Sequence, residues 1–307
     1  MNKILYTTLL ISSVLFAGCN NEDIINESHQ VNNTSLKVSV EESTVQSRAG
    51  FIIPEGRFYW DSNDMLGVAI NNVSNNDVKI RNFKLTSGAG TNSAKFDGIL
   101  MNDEKYGKYV VYPFNNAHKL SETTLTFHLP TEYVYHKVDQ DLPSSTTETE
   151  NLAKFNSMNP AMVGILENNQ TFLKHLGGVI LVKMDEMPFS SGTVAISTLD
   201  YQHKLAGDYK INLAQIEELG RNFDGITLED TNKDDECTVK IKYENATIGK
   251  PGNFYIPAPV GTYYGFKLSF FSNDPSQRPQ EMELLDEFTI ERTKIKVFIV
   301  QSISGGN

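Results

Sequence analysis

The chain has 307 residues, 39% of them hydrophobic, and carries a formal net charge of -11. That acidic balance excludes nucleic acid as a partner, which would require a basic face. Two cysteines, Cys19 and Cys237, are too few for a disulfide-built scaffold, so the fold must be held by an apolar core.

The chain opens with Lys3 and an apolar run from Ile4 to Phe16, interrupted only by Thr7, Thr8, Ser12 and Ser13. A positive start, a short apolar core and small residues before a cut mark a secretory signal over residues 1–18. The core falls short of the roughly 20 apolar residues a membrane span needs. Ala17-Gly18 directly before Cys19 is the lipobox of bacterial lipoproteins, which makes Cys19 the first mature residue and the bearer of the acyl chains. Phe16 stands where a small or aliphatic residue is usual, so an ordinary signal peptide with an incidental cysteine is the other reading. Asn20-Asn21-Glu22-Asp23 follows and the chain stays polar through Asn33. Such a stretch has no apolar core to fold around and reads as a linker. It also resembles the acidic surface-export tether of Bacteroidetes lipoproteins. With Cys19 acylated, Cys237 is alone and the mature chain forms no internal disulfide. About 290 residues remain after the signal, enough for two domains.

Leu36-Lys37-Val38-Ser39-Val40 alternates apolar and polar, the period of a half-buried strand. A polar stretch from Glu41 to Ser47 leads to Arg48-Ala49-Gly50, an exposed basic site open to proteolysis. Residues 19–50 are therefore read as tether and first strand. From Phe51 short strands alternate with turns. Phe58-Tyr59-Trp60 enters the turn Asp61-Ser62-Asn63-Asp64, and strands follow over Met65–Ile70, Val78–Leu85, Ala94–Leu100, Tyr109–Phe114 and Leu125–Leu129. Residues 137–158 read as a long polar loop. Another strand opens at Pro160. Phe172 to Met184 ends in a near-continuous apolar run, as in a strand buried on both faces. The division between two domains, 51–170 and 171–307, is placed near Gln170. Further strands are predicted at Thr193–Ile196, Leu199–Leu205, Cys237–Tyr243, Gly252–Pro259, Tyr263–Phe271 and Phe288–Val300. Only Ala214 to Leu219 hints at a helix. Regularly spaced short strands with Gly, Pro and Asn turns point to an all-β chain of β-sandwiches.

No enzyme constellation survives inspection. The histidines (29, 118, 128, 136, 175, 203) form no metal-ligand spacing, and GxSxG, P-loop and GxGxxG motifs do not occur. Cys237 follows acids, whereas a catalytic thiolate needs positive neighbours. Asp230-Thr231-Asn232-Lys233-Asp234 starts like a calcium loop but has Asp235 at the glycine place and Ile241 at the closing glutamate place. No metal and no cofactor are expected. Trp60 with Phe58 and Tyr59 is either a sugar-stacking platform or core.

Six pieces together resemble the fimbrillin family of Bacteroidetes, the subunits of type V pili and their relatives. They are Phe58-Tyr59-Trp60-Asp61 with Asp64-Met65-Leu66-Gly67-Val68; Ala94-Lys95-Phe96-Asp97-Gly98; Tyr109-Val110-Val111-Tyr112-Pro113-Phe114; Asn159-Pro160-Ala161-Met162; Phe172-Leu173-Lys174-His175-Leu176-Gly177-Gly178; and Phe254-Tyr255-Ile256-Pro257. The resemblance covers most of residues 36–300 and is weaker in the second half. It implies two tandem transthyretin-like β-sandwich domains in a lipoprotein of the cell outer membrane, anchored through acylated Cys19. It implies cleavage between Arg48 and Ala49 by a trypsin-like protease, which removes the strand holding Leu36, Val38 and Val40. A strand from another pilus subunit then fills the groove, and the polymer serves adhesion to host or bacterial surface ligands. The donor is expected at the C-terminus, where Ile295, Val297 and Ile299 alternate; the other reading makes that segment the last strand of its own domain. A pilus anchor or tip protein, or a monomeric glycan-binding lipoprotein, is the competing function.

Overall fold

Alternation of apolar and polar side chains decides most of this architecture, because each strand must bury one face. The computed structural model describes residues 31–40, 60–75, 77–135, 160–199, 204–218, 229–230 and 238–301. The described chain is nearly all β, with one short helix, α1 (Leu213–Glu218), where the sequence hints at one.

Seven strands close into a barrel in the order β1 (Val31–Val40), β10 (Gln170–His175), β9 (Met162–Glu167), β5 (Glu104–Tyr112), β2 (Met65–Asn72), β3 (Val78–Ser87) and β4 (Ser93–Met101). The sheet wraps fully around its core because β1 pairs on both sides. It runs antiparallel to β4 across nine residue pairs and parallel to β10 across four. Closure removes the exposed sheet edges that would otherwise invite pairing with other chains. The barrel interior is a core of Leu36, Val38, Val40, Trp60, Leu66, Val68, Phe83, Phe96, Val110 and their neighbours. Asn168 and Asn169, both at positive φ, make the tight turn from β9 to β10, as a two-residue hairpin of this kind demands.

A four-stranded sheet, β14 (Glu229–Asp230), β13 (Gly207–Asn212), β7 (Thr124–Leu129) and β6 (Lys119–Leu120), supplies a second layer. Its Leu125, Phe127, Tyr209 and Ile211 pack with the barrel's outward-facing Ala69, Val111 and Val163. The third core lies between a three-stranded sheet, β16 (Gly252–Pro259), β11 (Gly177–Met184) and β19 (Ile295–Val300), and a five-stranded one. The latter runs β18 (Gln280–Ile290), β17 (Gly261–Ser272), β12 (Gly192–Thr198), β15 (Thr238–Tyr243) and β8 (Glu132–Tyr135).

Gln170, where the sequence places the domain division, opens β10, which is still a barrel strand; β11 begins the next core. The apolar run from Phe172 is therefore two strands, and β11 is the one buried on both faces, with Gly178 through Val182 all buried. Pairings also cross the division, since β7 and β8 join β13 and β15. The single strand predicted over Phe288–Val300 is two: β18 ends at Ile290, and a turn with Thr293 at positive φ leads into β19. The acidic stretch from Gln280 to Glu287 is also strand, because Met282 and Leu284 alternate onto the core while the acids face water. Leu199 follows β12, Lys204 and Leu205 precede β13, and the predicted strand between them lies outside the described residues.

Candidate functional site

The site is the slot that β1 occupies. From Thr34 onward its even-numbered side chains turn inward, and Leu36, Val38 and Val40 are 1%, 0% and 2% exposed. Burying three such side chains contributes on the order of 6 kcal/mol before ordering costs are subtracted. Polar contacts hold the register. Inside the barrel the Thr34 hydroxyl meets the Tyr106 hydroxyl, and on the outer wall the Ser35 Oγ donates to Asp97 at 2.6 Å. The backbone N–H of Lys37 donates to the Asn169 carbonyl at 2.9 Å. Gly98, opposite Thr34, has no room for a side chain: a Cβ there would meet the Phe83 ring at 2.6 Å.

A strap of Trp60 to Asp64 closes the barrel where β1 ends. Trp60 and Thr91 are joined by backbone hydrogen bonding at 3.0 Å, and neighbouring Asn92 accepts from Val40 at 3.2 Å. The indole packs edge-on against Phe96 and Tyr112, with centroids 4.9 and 5.2 Å away. Aromatic pairs favour this geometry. Trp60 is 2% exposed, so it is core and not a sugar platform. Asp64 accepts from the Asp61 N–H at 2.7 Å and the Tyr112 hydroxyl at 2.8 Å. Burial outweighs these bonds and raises its carboxyl to about 6. Burial also pushes the Tyr112 hydroxyl well above its ordinary value.

The C-terminal candidates lie on β19, the edge strand beside β11. Its two faces differ. Phe298 and Val300 turn toward the core, with the Phe298 ring 5.3 Å from Phe266 and 5.1 Å from Phe288. Ile295 is half-buried and packs against the same core, while Val297 and Ile299 on the opposite face are 45% and 64% exposed. The segment is thus the last strand of its own core and also presents an apolar stripe to solvent.

One correspondence escapes a strand-by-strand reading. Thr34-Ser35-Leu36-Lys37-Val38-Ser39-Val40 and Thr293-Lys294-Ile295-Lys296-Val297-Phe298-Ile299 share threonine, aliphatic, lysine, valine and aliphatic residues at the same places. Setting the two segments side by side would have revealed it, and with it the roles of Thr34 and Thr293.

Cys19, Arg48 and Ala49 lie outside the described residues, as do Phe58, Tyr59, Cys237, the 137–158 loop, all but Asp230 of the calcium-like stretch, and His29, His136 and His203. The described histidines serve structure. The His118 Nδ1 accepts the His128 N–H at 3.0 Å, so its Nε2 donates to the Pro113 carbonyl at 2.8 Å. His128 contacts Asp208 at 2.8 Å. His175 is buried beside the Arg292 charge; burial first and that charge second lower it to about 3. Among the described residues no group of three or more His, Cys, Asp or Glu side chains is placed to hold a metal.

No protein-family model matches the chain, and no curated protein matches it in sequence. Among solved structures it is similar to a candidate cell adhesion protein from Bacteroides uniformis, at 12% identity and a TM-score of 0.43, over 89% of this chain and 94% of that one. A second candidate cell adhesion protein, from Bacteroides ovatus, gives 10% identity and 0.45 over 87% and 91%. The tip fimbrial protein Mfa3 from Porphyromonas gingivalis gives 8% and 0.32 over 90% and 97%.

Proposed function

We propose that this chain is a surface-exposed fimbrillin-like lipoprotein, a structural pilus subunit assembled by strand exchange and serving adhesion. In this reading it is built from two tandem transthyretin-like β-sandwich domains, the first sealed by β1. Cys19 carries the lipid that holds it at the outer membrane. Cleavage between Arg48 and Ala49 separates β1 from the body, and a second subunit fills the slot. The chain does no catalysis.

The observation that carries the reading is the shared pattern of residues 34–40 and 293–299, whose last two aliphatic places are buried in β1 as Val38 and Val40 and exposed in β19 as Val297 and Ile299. An edge strand with one covered face needs only one apolar face, so Val297 and Ile299 have no use in their own sheet. A vacated β1 slot offers an apolar groove and two rows of unpaired backbone groups, a template for strand addition. Residues 293–299, laid in the direction of β1, would bury Ile295, Val297 and Ile299 where Leu36, Val38 and Val40 lie now. The glycan-binding alternative loses its Trp60 ring, which is core.

The test is the N-terminus of the surface form, found by mass spectrometry after expression with the signal in a Bacteroides host. A subunit starts at Ala49 and runs in high-mass ladders that resist mild denaturant. A monomer still starting at acylated Cys19 would overturn the subunit reading.

A further inference from the structure

The outer wall of the barrel beside β1 carries one feature that β1 leaves uncovered and one that it meets only with a serine hydroxyl. Phe172 on β10 is 48% exposed and lies opposite Ser39, a side chain too small to cover it. On the other flank Asp97 of β4 faces Ser35. Lys37 lies between them, over a depression of about 440 Å³ bordered by Ser87, Ser93, Lys95 and Gln170. Ser35, Lys37 and Ser39 point to this wall, since Leu36, Val38 and Val40 between them are buried.

Laying residues 293–299 over 34–40 puts Lys294 at the place of Ser35, Lys296 at that of Lys37 and Phe298 at that of Ser39. We infer that Phe172 and Asp97 are docking positions selecting residues 293–299 of a second copy of this chain, Phe172 covering Phe298 and Asp97 pairing with Lys294. The inference rests on the strand-exchange reading and names what makes the exchanged strand preferred over β1. Phe298 gives up the Phe266 and Phe288 rings when it leaves its own core. Packing on Phe172 returns part of that loss, because directly opposed aromatic side chains on neighbouring strands attract. The Asp97 pair lies at the surface and adds little affinity, but like-charge and opposite-charge neighbours discriminate between registers. β1 carries serine at both positions: Ser35 gives Asp97 a neutral hydrogen bond, beside the Lys95 ammonium at 3.7 Å, and Ser39 leaves Phe172 uncovered. It is a seat-holder that a better occupant displaces.

The test uses the full chain with a site-specific protease sequence in place of residues 44–50, nicked so that β1 stays seated. A peptide of residues 291–301 is added and release of the β1 fragment is followed by mass spectrometry. The wild-type peptide displaces β1. Phe298→Ser in the peptide, or Phe172→Ala in the chain, raises the concentration needed by about tenfold. The two together cost no more than one, as expected of side chains in contact. Lys294→Ser costs about twofold. If Phe298→Ser and Phe172→Ala displace β1 as well as wild type while Val297→Asp does not, the docking is wrong and strand exchange stands. If the wild-type peptide never releases β1, the docking falls together with the exchange reading.

Discussion

The two ends of the described chain carry the same side-chain pattern in opposite settings. In β1 the stripe Leu36, Val38, Val40 is the inner wall of a barrel, flanked by β4 and β10. In β19 the equivalents of Val38 and Val40, Val297 and Ile299, face water, and the strand is held to its core by Ile295, Phe298 and Val300 and by one neighbour, β11. An apolar stripe therefore states that a strand can be buried, not where. The partner strands decide the place, and a strand apolar on both faces fits two places.

Substitutions that put a charge on each stripe are the sharpest way to break the comparison. Val38→Asp buries an unpaired carboxylate in the barrel and should cost about 4 kcal/mol or more, read as loss of the cooperative urea transition. Val297→Asp, on the solvent side of β19, should shift the same midpoint by about 0.5 kcal/mol or less. Equal effects would mean that the two stripes share a setting.

Trp60→Ala should follow at about 3–5 kcal/mol, because it empties the barrel end against Phe96 and Tyr112. The same change would leave the third core intact, so two separate unfolding transitions are expected by calorimetry.

Acidity separates the regions next. The Asp64 carboxyl is raised from 3.8 to about 6 in the fold, so the folded state holds the proton more tightly than the unfolded chain. Its contribution favours the fold at low pH and is lost as pH rises from about 4 through about 6, on the order of 3 kcal/mol. His175 works in the opposite sense. Lowered to about 3 by burial and the Arg292 charge, it is neutral in the fold, so stability is lost as pH falls from 6.5 toward 3. Urea midpoints between pH 4 and 7 should gain on alkaline steps in Asp64→Asn relative to wild type. An unchanged slope would rule out a titrating Asp64.

The smallest effect belongs to the Lys242 and Glu132 pair, 2.6 Å apart and 56% and 44% exposed. Lys242→Ala should cost less than about 1 kcal/mol, and thermal unfolding at two salt concentrations would check it.

Much of this was legible because burial writes a period of two into each strand. Leu36 to Val40 alternates, and β1 lies there with those side chains inside. β11 reads as doubly buried and is. β18 was not legible: Met282 and Leu284 sit among acids on the outer face, where Glu281 meets Lys267, and charge hides the alternation. Barrel closure was not legible either, because it depends on which strands β1 meets, and nothing within residues 31–40 names Phe96 or Leu173 as neighbours. Trp60 was open between core and platform until its partners were known. The kinship of residues 34–40 with 293–299 was present in the letters but lay between two strands, where local periodicity does not look.

The unequal borders of β1, nine pairs with β4 and four with β10, bear on how it yields to force. A pull along its length loads all the rungs of both ladders together. Sliding by one residue, about 3.3 Å, would drive Lys37 inward and Val38 and Val40 out, so the first foothold lies two residues on, about 7 Å away. A pull at right angles, beginning from Val31, meets the β4 ladder one rung at a time and has six residues to travel before β10 resists. The seal is stiff along the strand and opens like a zip from its N-terminal end.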